Sequence, residues 1–174
     1  MRERIRSVIR AVPDYPKPGI VFRDITPLLA DGDAFAEAIN SFVERYRNAG
    51  LTKIVGIEAR GFIFGTALAY ALGIGFVPLR KPGKLPAKTL QQRYSLEYGE
   101  DALEIHTDAL GAHDHVLIID DLLATGGTVL AAVDLVKQTG ASLQECAFVI
   151  SLDQLPGVDR LQQAAIPYYT LCRF

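Results

Sequence analysis

Residues 115–133, HVLIIDDLLATGGTVLAAV, decide the fold of this chain. Residues 116–119 form a short apolar run, β-branched at three of its four positions, which is typical of a buried parallel strand. Two carboxylates, Asp120 and Asp121, follow the run, and the small-residue loop ATGGT at 124–128 leads into an apolar, alanine-rich helix. This order predicts a strand–turn–helix unit of an α/β protein.

The glycine-rich turn has the chemistry of a phosphate site. Backbone N–H groups of such a turn can close on a phosphate, and the N-terminus of the following helix adds a favourable dipole. The hydroxyls of Thr125 and Thr128 add donors, while Asp120 and Asp121 can accept hydrogen bonds from sugar hydroxyls or face a magnesium ion. A phosphate on one side and a diol on the other predict a bound ribose 5-phosphate.

Other interpretations explain less of the segment. An ordinary strand–turn–helix with an acidic N-cap accounts for the aspartates or the glycines alone, but it does not require the whole run in this order. The run is not a Walker A loop, because no lysine follows the second glycine. It also lacks the G-x-G-x-x-G spacing of a dinucleotide site.

Size, charge and cysteine content exclude several classes of protein. A chain of 174 residues is most economically one domain, 1–174, with room for a hydrophobic core. The net charge of −2 gives no general attraction for nucleic acid or membrane, and no apolar run is long enough for a membrane span. The N-terminus has no secretory signal, and Cys146 and Cys172 form no C-x-x-C pair, so we expect a cytoplasmic protein with reduced thiols.

Apolar periodicity predicts alternating strands and helices along the rest of the chain. We expect helices at residues 2–12, from a cap at Asp31 or Asp33 to about residue 48, and at about 62–72. We expect further strands at residues 53–57, 76–79, 147–152 and 168–172. The pattern indicates a central, mostly parallel sheet flanked by helices and joined by right-handed crossovers.

Residues 81–101 break this rhythm. They contain two prolines, two glycines and several polar residues, which is typical of a functional lid or a disordered insert. Residues 94–97 and 103–106 alternate enough to form a mobile β-ribbon. We therefore expect a flexible lid over residues 81–103.

Charged side chains follow three of the predicted strands. Ligands of parallel sheets bind beyond the carboxyl ends of the strands, so these side chains should meet the glycine turn at one edge. Arginines grip phosphate oxygens with two donors, and lysines add point charge. Each cation taken singly also fits an ordinary surface position. The residues that converge on this edge are Glu58, Ala59, Arg60, Arg80 and Lys81, with Lys84 close behind.

Five motifs together resemble one enzyme family. They are IVFRDITPLL, GIEARGF, VPLRKPGKLP, YSLEYG and DDLLATGGT, in this order from about residue 16 to residue 140. The set is similar to the adenine phosphoribosyltransferases, a branch of the type I phosphoribosyltransferases. The 6-oxopurine branch resembles the chain at DDLLATGGT but not at the FRD or YSLEYG segments. The last thirty residues contribute no motif.

The resemblance implies the type I phosphoribosyltransferase fold, with a small N-terminal hood over residues 1–30 and a catalytic lid over 81–103. It implies transfer of the phosphoribosyl group of 5-phosphoribosyl pyrophosphate (PRPP) to adenine, giving AMP and pyrophosphate. Magnesium would be the cofactor, with no metal held directly by side chains. The resemblance also implies a homodimer, and no nucleic-acid or membrane partner is expected.

The resemblance also assigns roles to the matched positions. The catalytic acid/base would be Glu97, which taken alone also fits a solvated ribbon glutamate. The 5-phosphate loop would be Ala124, Thr125, Gly126, Gly127 and Thr128, with Asp120 and Asp121 on the ribose hydroxyls. Pyrophosphate would lie among Glu58, Ala59, Arg60, Arg80, Lys81 and Lys84. Adenine would be read by the backbone of Val21, Phe22 and Arg23 and sandwiched between the side chains of Phe22 and Leu122.

Two alternatives stay open at this point. The chain could serve another purine or pyrimidine base, or it could be a PRPP-binding regulator without chemistry. A regulator of that kind would need a nucleic-acid-binding module, for which the chain has neither spare length nor a basic domain.

Overall fold

The computed structural model describes residues 2–96 and 99–174. The helices are α1 (Arg2–Val8), α2 (Thr26–Ala30), α3 (Gly32–Tyr46), α4 (Gly61–Leu72), α5 (Gly127–Gln138) and α6 (Gly157–Gln163). The strands are β1 (Arg10–Val12), β2 (Phe22–Asp24), β3 (Lys53–Ile57), β4 (Gly75–Leu79), β5 (Thr89–Leu96), β6 (Gly99–His106), β7 (His115–Leu123), β8 (Ser142–Ser151) and β9 (Tyr168–Arg173). Within these described ranges no helix is both long and apolar enough to cross a bilayer.

The main sheet has five parallel strands in the order β4-β3-β7-β8-β9. Its central strand β7 is buried because alternate side chains enter the two halves of the core: Val116 and Ile118 pack with α5, and Leu117 and Ile119 pack with α3 and α4. Helices cover both faces, which is why these strands read as continuous apolar runs. The prediction of a parallel α/β sheet is confirmed.

Strand β7 is longer than its apolar run. Asp120 and Leu122 continue the ladder with β8, opposite Phe148 and Ile150, and the strand ends only at Leu123. The expectation that both aspartates follow the strand is therefore wrong, because pairing with β8 keeps this polar stretch extended. The two carboxylates are held on the rigid end of a strand instead of on a loop.

The N-terminal helix is shorter than its periodicity indicates. It ends at Val8, and residues 10–12 form β1, which pairs antiparallel with β2. The backbone groups of the FRD segment need a partner, and this pairing overrides the helical pattern of residues 2–12. The buried Ile5 and Ile9 still anchor the segment in the core cluster that contains α3.

The apolar periodicity predicts neither α2 nor α6, which are both short. Asp31 caps α3 as expected, and its side chain accepts a hydrogen bond from the Ala34 N–H.

The ribbon that follows β4 is more ordered than an insert. Strands β5 and β6 pair along their full length, from Thr89 opposite His106 to Leu96 opposite Gly99. Tyr94, Leu103 and Ile105 are buried in the core cluster that also contains α5. The β-ribbon is thus confirmed and extended, and among the described residues of this segment the irregular backbone lies at 81–88. The motion of a lid over 81–103 stays a prediction.

Candidate active site

The carboxyl ends of β3 and β7, with the segment that follows β4, enclose a polar cavity of about 270 Å³. This cavity shares Asp120, Leu122 and Thr128 with a smaller one, of about 80 Å³, that lies over the glycine turn. The structure thereby brings together the predicted phosphate loop, the aspartates and two of the four predicted cations, Arg60 and Lys81. The residues of the larger cavity are Glu58, Ala59, Arg60, Lys81, Asp120, Asp121, Leu122 and Thr128.

The turn between β7 and α5 has the shape that its glycines allow. Gly126 caps α5 with a φ of +86°, a left-handed conformation that favours glycine. Gly127 is the first residue of α5, so the loop leads directly into the helix N-terminus. The smaller cavity is lined by Ala124, Thr125 and Gly126 of this loop, together with Thr128 of the helix. Such a turn can present N–H groups to an anion.

Asp120 and Asp121 have different surroundings. Asp121 is buried and accepts a hydrogen bond from Arg60 Nε at 2.5 Å. The charge of Asp121 raises the pKa of the Arg60 guanidinium above its ordinary value. Burial and the neighbouring charge of Asp121 raise the pKa of Asp120 well above its usual range, although its Oδ1 accepts the Asp121 N–H at 2.8 Å. Asp120 therefore resists ionisation until an opposite charge or a hydrogen-bond donor reaches it.

The carboxylate of Glu58 is hydrogen-bonded to neighbouring basic residues. Its Oε1 accepts from Arg80 Nη2 at 3.0 Å and from Lys84 Nζ at 2.6 Å, and its Oε2 accepts the Lys81 N–H at 2.6 Å. Burial raises the pKa of Glu58, but the hydrogen bonds from Lys84, Lys81 and Arg80 outweigh it and bring the pKa to about 2. An ionised Glu58 thus fixes where two of the cations sit.

Lys81 is held by the ribbon. Its ammonium group donates to the carboxylate of Asp101 and, at 2.8 Å, to the hydroxyl of Tyr94. Burial lowers the pKa of Lys81, yet the bond to Asp101 and the others raise it above its ordinary value overall. No sequence pattern indicates Asp101, because its contact with Lys81 depends on how β5 and β6 pair.

The FRD strand lies apart from this cavity. Phe22 lines a separate apolar hollow with Val12, Tyr15 and Asp24, and the Tyr15 ring meets it edge-on with centroids 5.2 Å apart. The guanidinium of Arg23 lies 4.2 Å from the centre of the Phe174 ring. A sandwich of one ring between Phe22 and Leu122 thus stays a prediction. Glu97 lies outside the described residues.

Two contacts of the phosphate loop come from a part of the chain without motifs. The Gly157 N–H donates to Ala124 O at 2.9 Å, and Arg160 Nη1 donates to Thr125 O at 2.9 Å. Both residues belong to α6, a short helix in the last thirty residues, where no motif could have indicated them.

A family model and known proteins are similar to this chain over most of its length. The family model described as the phosphoribosyl transferase domain matches residues 28–166. An adenine phosphoribosyltransferase of Idiomarina loihiensis is 60% identical over 170 residues, 98% of this chain and 96% of that protein. The enzyme of the same name from Shewanella loihica is 56% identical, over 98% of this chain and 94% of its own length.

Solved structures agree in fold. An adenine phosphoribosyltransferase from Thermoanaerobacter pseudethanolicus superposes with a TM-score of 0.94 at 46% identity, and the match covers all of both chains. One from Saccharomyces cerevisiae, complexed with an imino-altritol bisphosphate and adenine, has a TM-score of 0.92 at 40% identity and 98% coverage of each chain. The chain therefore belongs to the phosphoribosyltransferases. Within them, it belongs to the adenine phosphoribosyltransferase family.

Proposed function

We propose that this protein transfers the 5-phosphoribosyl group of PRPP to adenine, releasing AMP and pyrophosphate in a purine salvage reaction. The observation that carries the proposal is the pair of adjoining cavities, sharing Asp120, Leu122 and Thr128, that brings the glycine turn and the two aspartates beside Arg60 and Lys81. A relative from Trypanosoma brucei, 28% identical over 99% of this chain, was solved with AMP, pyrophosphate and ribose-5-phosphate, which are ligands of the same chemistry.

Charge separation is the main electrostatic demand of the reaction. Breaking the C1′–O bond of PRPP leaves positive charge on the ribose and negative charge on pyrophosphate. Arg60 and Lys81, which line the cavity, and Arg80 beside them would stabilise the leaving group where this charge develops. Each is paired with a carboxylate in the structure, so pyrophosphate would share or replace Asp121, Asp101 or Glu58 as its partner.

Adenine must lose a ring proton as it is glycosylated. We propose that Glu97 is the general base that accepts this proton. A closing lid would desolvate its carboxylate and raise the carboxylate pKa, which makes it a stronger base. Closure would also keep water from the ribosyl cation.

The choice of base would depend on the backbone of residues 21–23. Adenine presents a ring-nitrogen acceptor beside an amine donor, which one extended segment can match. Hypoxanthine presents the opposite polarity, and facing like groups in a buried site costs about 1–3 kcal/mol. Val21, at the start of this segment, is 46% exposed.

Magnesium fits as an ion brought in with the substrate. Among the residues that the structure describes, no cluster of three or more metal-ligating side chains occurs. Magnesium is commonly bound by one or two carboxylates together with substrate phosphates and water. Asp120, which lines the cavity, is the carboxylate that would face such an ion, directly or through water. When bound, magnesium would neutralise charge on pyrophosphate. Loss of activity on addition of EDTA, restored by excess magnesium, would support this assignment.

We propose that the protein forms a homodimer through the outer face of α4. Tyr70 is 90% exposed and Ile63, two turns earlier on the same face, is 38% exposed. Exposed apolar side chains that share one helix face form a patch of the kind that marks protein–protein contacts, whereas single ones are ordinary. Since α4 begins at Gly61, next to Arg60, a second copy on this face would lie beside the site. Light scattering should then give about twice the 19.0 kDa chain mass, and Tyr70→Glu should shift the protein toward monomer.

We propose a cytoplasmic location because the two cysteines form no disulfide bond. Cys146 and Cys172 are both buried and unbridged, which suits a reducing compartment. Cell fractionation would test this assignment.

Turnover of labelled adenine tests the function. We expect AMP to form only when PRPP is present, with hypoxanthine, guanine and orotate turned over far more slowly. Preference for another base would favour a different phosphoribosyltransferase. PRPP binding without turnover of any base would favour the regulator.

Changing both Asp120 and Asp121 to Asn should weaken PRPP binding at least about tenfold, because charged hydrogen bonds are worth about 1.5–3 kcal/mol each. Isothermal titration calorimetry measures this directly. A matched control changes the exposed Asp108 and Asp134 to Asn, which makes the same two substitutions away from the cavity. Equal PRPP affinity in both variants would show that Asp120 and Asp121 do not contribute to PRPP binding and have a structural role only.

A further inference from the structure

Helix α6 lies behind the phosphate loop, on the side away from the cavity. Its first residue, Gly157, holds Ala124 O, and Arg160 holds Thr125 O, each at 2.9 Å. Two consecutive carbonyls of the loop are thus tied to one helix. The loop residues line the smaller cavity, whereas α6 supplies none of its lining residues among those described.

Peptide geometry turns these two bonds into a constraint on the anion site. In a planar trans peptide the C=O of one residue and the N–H of the next point in opposite directions. Holding Ala124 O and Thr125 O against α6 therefore directs the N–H groups of Thr125 and Gly126 away from it. A carbonyl turned the other way would set partial negative charge against a bound phosphate.

The loop has little room to relax on its own. A Cβ on Gly126 would lie 3.1 Å from Gly157 Cα, so the two backbones are already in close contact. The hydrogen bond from Arg160 is of a different kind, because it comes from an exposed, charged side chain that can be exchanged without disturbing the core. The guanidinium also lies close to the start of α5, since Nη1 is 3.8 Å from a Cβ built on Gly127.

We infer that Arg160 is a positioning residue for the 5-phosphate of the substrate: by binding Thr125 O it keeps the loop N–H groups turned toward the phosphate. This inference rests on the proposed function. Sequence motifs could not indicate it, because Arg160 is 35 residues beyond Thr125 and the segment between them folds back through α5 and β8.

The test compares Arg160→Met, Arg160→Lys and a control, Arg47→Met. Arg47 is exposed at the end of α3 and its change alters net charge equally. Losing the charged hydrogen bond to Thr125 O should weaken binding about tenfold in Arg160→Met. The readouts are the Kd of ribose 5-phosphate by calorimetry and the KM for PRPP. The KM for adenine should change less than twofold, and Arg160→Lys, which keeps a cationic donor, should recover most of the affinity.

The outcomes separate this inference from the function on which it rests. Ribose 5-phosphate affinity in Arg160→Met equal to that of Arg47→Met would overturn the positioning role. A lower melting temperature with equal losses toward adenine and PRPP would overturn it too, because that pattern describes a general structural contact. If the unaltered protein binds no ribose 5-phosphate, the proposed function fails and the inference fails with it.

Discussion

Glu97→Gln should lower kcat by about 10²–10⁴-fold, the range that a well-placed general base contributes. Glutamine keeps the size and polarity of the side chain but cannot take the ring proton that adenine loses when its glycosidic bond forms. PRPP binding, measured by calorimetry, should persist, because the assigned phosphate and pyrophosphate contacts come from other residues. The expected pattern is therefore a loss in kcat with PRPP affinity retained.

Glu100→Gln is the matched control. Glu100 belongs to β6, its side chain is 66% exposed, and it forms a loose ion pair with Arg93 at 3.9 Å. Such exposed pairs contribute little, so turnover should stay close to that of the unaltered protein. Unchanged kcat in Glu97→Gln would remove Glu97 from the chemistry. An equal loss in both variants would point to the removal of negative charge from this part of the chain instead of a proton transfer.

The parts of the fold that the sequence predicts well are those with one dominant signal. Strands β3, β4 and β7 contain apolar runs because both faces of the sheet are covered, and the structure confirms all three. The misses occur where tertiary pairing outweighs local pattern. Residues 10–12 keep a helical period but pair with the FRD strand, and Asp120 and Asp121 look like loop residues but continue β7.

In the candidate site, too, some residues could be predicted from the sequence and others could not. That charged residues after parallel strands meet at one edge follows from topology, so Arg60, Lys81 and Asp120 could be grouped in advance. Their partners could not. The pairs Lys81–Asp101 and Arg80–Glu58 depend on side-chain geometry and on the ribbon's register, and no spacing rule encodes either. The same holds for the contact between Arg160 and the loop.

The carboxylate partners also reduce the attraction of the cations for a bound anion. Arg60, Lys81 and Arg80 are each paired with a carboxylate, so their positive charge is partly neutralised. An incoming anion gains attraction only to the extent that it replaces or shares these partners. The placement of each pair therefore matters more than the number of cations, and small backbone shifts at this edge should have large effects.

Gly61→Ala should produce such a shift. A Cβ on Gly61 would lie 2.8 Å from Ile119 O and 3.0 Å from Asp120 Oδ1, so α4 would have to move away from β7. That movement would displace Arg60, which precedes α4, relative to Asp120 on β7. Misplacement of a site by about 1 Å can cost about 10²-fold in activity, and overpacking costs about 1–3 kcal/mol of stability.

The measurements are kcat/KM for PRPP and the free energy of unfolding. Gly32→Ala is the control, because it places the same methyl group at the start of α3 with no atom within 4 Å. Alanine also favours the helix there, so its stability should be unchanged or higher. Gly61→Ala with full activity would show that this helix and strand need not be in close contact. A loss of stability without a larger loss of kcat/KM than in the control would place the site elsewhere than at the junction of α4 and β7.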